Sequence, residues 1–353
     1  KLEELSRSLE ESPAASHTAQ ELGGVFEQAA EHLMERQSTM RDRELLGEML
    51  DRSTGGCTPE ASKVYLETQV DAGHVIRGEW KGIRLLTLPH VLKEEHQMLR
   101  TVREGRGAFR PIAQEHALTD PELSDEQRAA VRHVLSSSDG LIAITGRAGV
   151  GKTRVMHEVV RGVEAQGVTV QPAAPTAMAA DSVLKKDGFA NAVTVAELLQ
   201  NTRMHDRLRG QVIWIDEAGL LGTPDMAKAV KLCKSLNARL LVTGDTRQHS
   251  SVSRGDALRL IQSHGGSKAV ELSTVRRQLD VQYRKACQQL AGGELDRGFG
   301  TLDKMGVIRE VDHATRADEL AVSYVKSINQ KRSALVISPT HAEGARVTDR
   351  IPH

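Results

Sequence analysis

The chain has 353 residues, room for two or three domains and a sizeable core, with 39% hydrophobic and 27% charged side chains. Lysine plus arginine (47) balances aspartate plus glutamate (47), so bulk charge argues for neither a nucleic-acid nor a membrane partner, and any such contact must come from where charge sits. Aromatics at 3% make base-stacking platforms scarce, no apolar run reaches the ~18 residues of a membrane span, and Cys57, Cys233 and Cys287 form no C-x-x-C pair, so they read as lone buried thiols.

The polar opening KLEELSRSLEES reads as helical and is no signal peptide. The first residue is Lys, not Met, which reads as a fragment or processed product; the expected compartment is a reducing cytoplasm. Residues 1 to about 55 carry apolar residues at helical spacing, as in AAEHLMERQSTMRDRELLGEML, until STGGCTPEASK breaks the pattern. GIRLLTL reads as a short strand. PHVLKEEHQMLRTVREG reads as a helix, with Pro at its start and Gly at its end. Pro111 to Pro121 reads as a linker.

Beyond it the texture changes. LSDEQRAAVRHVLSS predicts a helix with Ser124 as N-cap and Gln127 at capping-box spacing. Strands then alternate with helices: LIAIT (141–145), VTVQPAA (168–174), QVIWIDEA (211–218), RLLVTGD (239–245) and KAVEL (268–272), with helical GKTRVMHEVVRGVEAQG, TAMAADSVLKK and PDMAKAVKLCKSL among them. GVIREV (306–311) and the start of ALVISPTHAEGARVTDRI (334–351) are further candidate strands. Apolar β-rich runs separated by helices predict a doubly wound parallel α/β sheet. The expected domains are a mainly helical accessory region (1–120), an α/β domain (121–330), and the start of a second such domain (331–353).

GRAGVGKT (146–153) fits G-x-x-x-x-G-K-[ST], with a strand before it and a helix after. The expected phosphate cradle is Gly146, Arg147, Ala148, Gly149, Val150, Gly151, Lys152 and Thr153, with Arg154 next on the helix. Lys152 is placed to meet the β- and γ-phosphates of ATP, and Thr153 to ligate Mg²⁺. The strand VIWI ends in Asp216-Glu217: Asp216 suits the metal shell, and Glu217 suits orienting and deprotonating water. That pair favours hydrolysis and argues against a kinase. Gln248, after the strand 239–245, is a candidate γ-phosphate sensor. Arg277, in ELSTVRRQ, is a candidate for stabilising transition-state charge. Trp214 reads as core and His157 as a helix-face residue; Trp80 and Phe109 could stack on bases, but packing between accessory helices is the preferred reading.

In order, GRAGVGKT, APTAMAA (174–180), IDEAG, GDTRQ and VRRQ resemble motifs I, Ia, II, III and IV of superfamily 1 helicases of the RecD-like branch. GDTRQHSSVSRGDAL, RRQLDVQYRKACQQLAGGELDRGF and LTLPHVLKEEHQMLRTVREGRG are most similar to the helicase part of conjugative relaxases of the TraI/TrwC type. The resemblance spans most of residues 30–351 and is most specific over the motor. It implies that the α/β domain is a RecA-like P-loop NTPase, that Gln127 reads adenine and that Lys152, Thr153, Asp216, Glu217, Gln248 and Arg277 form the hydrolytic set. It implies that Pro175, Thr176 and the adjoining Ala177 touch a single-stranded DNA backbone. It also implies 5′ to 3′ translocation during plasmid transfer and a partner in the type IV secretion coupling machinery.

Two departures set further expectations. Motifs V and VI, with their arginine finger, do not follow residue 351, so the chain alone should bind ATP, hydrolyse it slowly and not unwind. Tyr65, Tyr283 and Tyr324 and fourteen scattered histidines do not make a relaxase centre, so it should not nick DNA. The competing reading is a single-strand-binding or secretion-recognition module with little motor activity.

Overall fold

The computed structural model describes residues 19–53, 55–147, 149–246, 251–266, 269–274 and 280–351. The chain divides into two compact units, residues 1–277 and 278–353. In the first unit, helices α1 (Ala19–Met34), α2 (Asp42–Arg52) and α3 (Pro59–Asp71) surround a small core of Phe26, Met34, Met40, Leu45, Met49 and Leu66. The helical stretch read as continuous to residue 55 is thus two helices. They are separated by an extended link in which Met40 bridges Leu86. A two-stranded antiparallel hairpin, β1 (Ile76–Trp80) and β2 (Ile83–Thr87), stands on this core; β1 and α3 had no strong sequence period.

Helix α4 (Pro89–Glu104) starts at a proline in its first turn and is followed by Gly105, as its sequence predicts. Its first turn buries Val91 in the accessory core, and its last two turns bury Met98, Leu99 and Val102 against the sheet domain. One rigid helix therefore serves both cores. The linker from Gly105 carries no regular element as far as α5 (Asp125–Ser136), where the Ser124–Gln127 capping box forms in both directions.

The sheet comprises β3 (Leu141–Gly146), β4 (Val170–Ala174), β5 (Val193–Thr194), β6 (Val212–Ile215), β7 (Arg239–Gly244) and β8 (Val270–Leu272), all parallel, in the order β5-β4-β6-β7-β3-β8. This is the parallel α/β sheet expected from the alternating apolar runs. Successive strand residues serve opposite faces. Leu141, Ala143, Ile213, Ile215, Leu240 and Val242 meet α4, α7 (Val195–Gln200), α9 (Thr223–Leu236) and α10 (Ala257–His264). Ile142, Ile144, Val212, Trp214 and Leu241 meet α5 and α6 (Lys152–Glu164). The short helix α8 (Thr202–Arg207) precedes β6. The segment read as helical after β4 is a π-helix, Met178–Leu184.

The second unit contains α11 (Val281–Ala291), α12 (Leu295–Lys304), α13 (Arg316–Asn329) and α14 (His341–Thr348). The strands expected at 306–311 and 334–339 do not form. A strand needs a neighbour for its backbone N–H and C=O groups, and Leu335 and Ile337 are each 83% exposed instead of lying in a ladder.

Candidate nucleotide site

The parallel sheet brings the C-terminal ends of β3, β6 and β7 to one edge, the edge at which open α/β sheets bind ligands. β7 lies between the other two. The loop after Gly146 and the acidic pair after Ile215 therefore stand about 10 Å apart, a gap that admits a terminal phosphate and a cation. Two glycines shape the loop. At Gly146 a Cβ would lie 2.6 Å from the Leu272 carbonyl of β8, so this strand end tolerates no side chain. Gly151 caps α6 at φ 88°, in the left-handed region. Its neighbour is Gln127, whose Nε2 donates to the Val150 carbonyl at 3.1 Å and whose Oε1 accepts from the Ser124 N–H at 3.0 Å. Gln127 is thus buried beneath the loop, tying it to the N-terminus of α5.

Lys152 opens α6. Its ammonium turns back to the Gly146 carbonyl at 2.8 Å, and its charge is felt by Asp216 across the gap. Gly146, Arg147, Gly149, Val150, Gly151, Lys152 and Thr153 thus come together in one turn between β3 and α6; Ala148 lies outside the described residues. Arg154 points the other way, with Nε 2.6 Å from Asp120 and Nη2 2.6 Å from Glu122. The Arg154 hydrogen bond holds the Asp120 carboxyl down at about 2. Pro175, Thr176 and Ala177 follow β4 at the same sheet edge. Pro175 is half-buried, the other two are exposed, and the Thr176 hydroxyl accepts from the Ala179 N–H. Gln248 and Arg277 lie outside the described residues. The chain leading toward Arg277 is anchored: Glu126 of α5 accepts from the Ser273 N–H at 2.7 Å and hydroxyl at 2.8 Å.

The acidic pair is held by a network that sequence reading missed. Thr243 on β7 is fully buried; its hydroxyl donates to Asp216 Oδ1 at 2.5 Å and accepts from Trp214 Nε1 at 2.8 Å. An indole N–H can only donate, so Trp214 forces the single Thr243 proton toward Asp216. Trp214 is core, as its place in VIWI implies, and its indole N–H is spent on Thr243. Its ring meets Phe189 edge-on at 4.7 Å, and Phe189 stacks on His157 at 4.4 Å. Burial pushes the Asp216 carboxyl up, against the Thr243 bond, the Glu217 N–H and the Lys152 charge. The available signal was Thr243 itself, a polar residue inside the apolar strand RLLVTG, which must find a partner when buried. Glu217 sits in the left-handed region at φ 50°, ψ 38°, a conformation that costs a side-chain-bearing residue about 1–3 kcal/mol.

The Thr153 hydroxyl and the Asp216 carboxylate are hard oxygen donors and few in number. That fits Mg²⁺, which keeps several waters and takes its other ligands from phosphates. Thr243→Val keeps the side-chain shape and removes the hydroxyl. It should raise the Mg²⁺ concentration needed for half-maximal binding of a fluorescent ATP analogue about tenfold, and Thr243→Ser should restore it. An unchanged Mg²⁺ titration in the valine variant would contradict this role.

Residues 122–313 match the AAA domain family (AAA_30). Over 239 residues the chain is 30% identical to the conjugal transfer protein TraA of Rhizobium radiobacter, covering 67% of this chain and 21% of that protein. It is 27% identical over 235 residues to the multifunctional conjugation protein TraI of Escherichia coli K12, covering 64% and 13%. It is 26% identical over 245 residues to the ATP-dependent RecD2 DNA helicase of Deinococcus radiodurans, covering 63% and 33%. The chain thus spans about a fifth of the first of these relatives and less of the second. No helix among the described residues is long and apolar enough to cross a membrane. Because the family match runs from just before the helix that carries Gln127 to beyond the last strand of the sheet, over more than half the chain, the chain belongs to the AAA domain family, and it is similar to TraA, TraI and the RecD2 helicase.

Proposed function

We propose that this chain is the ATP-hydrolysing motor part of a conjugative helicase, coupling ATP turnover to movement along single-stranded DNA. One observation carries the reading: Lys152 and the Asp216-Glu217 pair converge on one sheet edge, with Thr243 orienting Asp216 between them. In this reading the loop N–H groups and Lys152 bind the phosphates of ATP. Thr153 and Asp216 hold Mg²⁺, which would neutralise charge on the β- and γ-oxygens. Glu217 orients the attacking water and takes its proton. Gln248 and Arg277 complete the set at the γ-phosphate. Gln127 supports the loop from below and, in this reading, also reads the adenine. Pro175, Thr176 and Ala177, exposed or half-exposed beside the site, contact the DNA backbone. A role in conjugation is supported by likeness to TraA and TraI; 5′ to 3′ polarity and a secretion-machinery partner are proposed from the motif resemblance alone. A domain boundary near residue 120 is supported by the element-free linker there.

The test is steady-state ATP hydrolysis by the chain with and without single-stranded DNA. Turnover is expected to rise with DNA and to vanish in Lys152→Ala. DNA binding without any ATP turnover would favour the binding-module reading instead.

A further inference from the structure

The accessory region presents an exposed aromatic site that the catalytic edge does not use. Trp80, expected to pack between helices, is 60% exposed at the tip of the β1–β2 hairpin. Phe109, paired with it in the sequence reading, does pack, under the Arg239 guanidinium at 5.0 Å. The hairpin turns through Lys81 and Gly82, both at positive φ (51° and 77°), a two-residue turn that matches strand twist. Its base is firmly held. Arg77 donates to both oxygens of Glu67 at 2.8 Å and lies 3.2 Å from Asp42, and the Thr87 hydroxyl donates to the Ser38 carbonyl at 2.7 Å. A fixed base and a bare tip make a rigid projection.

Residues in register share a sheet face. Leu86, paired with Arg77, faces the core. The opposite face therefore carries Ile76, Gly78 and Trp80 on one strand and Leu85 and Ile83 on the other. Ile76 and Ile83 are exposed too. Gly78 leaves a notch in this strip: a Cβ there would meet nothing within 4 Å. The residues flanking it on its strand, Ile76 and Trp80, lie about 13 Å apart along the chain, which leaves room for a planar ring to lie in the notch against Trp80. The Lys81 ammonium lies 4.5 Å from the Trp80 ring centroid.

We infer that this face is a base-stacking contact for single-stranded DNA, with a base in the Gly78 notch against Trp80 and its phosphate on Lys81. Size decides against a protein partner. A face of two five-residue strands offers on the order of 200 Å², whereas each side of a stable protein interface buries about 800 Å². One base needs only one ring. An aromatic face with an adjoining cation is what a nucleotide recognises.

The inference rests on the single-strand reading above, and anisotropy with a labelled oligothymidylate at fixed salt tests both. Trp80→Ala should weaken binding about ten- to a hundredfold, and Trp80→Phe should recover most of it. Gly78→Val, at a position with open space and ordinary strand backbone, should fold normally and still weaken binding about tenfold. Of the two tryptophans Trp214 is fully buried, so DNA should quench the exposed emission of Trp80 alone. Wild-type binding matched by both Trp80→Ala and Gly78→Val, without quenching, overturns the hairpin site and leaves the motor reading standing. No binding by the wild type overturns both. A changed sedimentation coefficient in Trp80→Ala with DNA affinity intact assigns the face to a second copy and overturns the inference.

Discussion

Glu217→Gln is expected to lower ATP turnover by roughly 10²–10⁴ while leaving Mg²⁺-dependent nucleotide binding nearly unchanged. The two residues of the acidic pair separate in this test. The Glu217 backbone N–H supports the Asp216 carboxyl, and glutamine preserves that N–H and the side-chain shape. The left-handed turn at 217 is fixed from outside: Gly219 packs so closely on Asp245 that a Cβ there would lie 2.5 Å from its carbonyl oxygen. The substitution therefore removes the carboxylate base while keeping the backbone and the side-chain shape. Asp216→Asn should do the opposite, losing Mg²⁺-dependent affinity first. Phosphate release and analogue binding, measured on both variants, check the assignment. Undiminished turnover in Glu217→Gln would refute it.

The second large effect concerns stability. Glu158 on α6 is fully buried, yet it is not part of the nucleotide chemistry. It accepts from the Thr119 N–H at 2.7 Å, the Asp120 N–H at 3.2 Å, the Thr119 hydroxyl at 3.0 Å and His116 Nε2 at 2.9 Å, with Arg161 at 3.3 Å. One carboxylate thus fastens the linker to the helix that begins at Lys152. Glu158→Ala strands two backbone donors and an imidazole in a buried site, each costing about 1–3 kcal/mol. Together they should cost about 3–5 kcal/mol, lowering the melting temperature of the sheet domain by roughly 10 °C. Burial pushes the Glu158 carboxyl up, but the Thr119 N–H, His116, the Thr119 hydroxyl and the Arg161 charge outweigh it, and the net shift is downward. A lowered carboxylate stabilises fully above its ordinary range, and that contribution is lost as pH falls through the lowered value. Melting curves recorded toward acid should therefore converge for wild type and Glu158→Ala. A constant gap at all pH values would contradict the assignment.

Much of the sheet domain was legible in the chain. Each expected strand of the core sheet formed, because runs such as LIAIT and VIWI are apolar on both faces and can only be buried centrally. The Ser124–Gln127 cap and the turn from β3 into α6 are local, within a few residues, and local geometry shows in spacing. Other readings failed for a common reason. Leu335 and Ile337 have strand-like sequence, but pairing is not a property of one segment. The exposure of Trp80 is not legible because sequence does not say which hairpin face meets the core.

The sequence by itself determined the phosphate loop, the acidic pair, the parallel sheet and the lone buried thiol Cys233, whose pKa burial pushes up to about 12. Only the tertiary structure decided that Gln127 props the loop from below, that Trp214 aims the Thr243 proton at Asp216, that Glu158 fastens the linker and that Trp80 stands free. The reason is distance along the chain. A motif encodes neighbours a few residues apart, whereas Trp214 and Thr243, or Glu158 and Thr119, meet only because the sheet and its helices bring remote segments within hydrogen-bond reach.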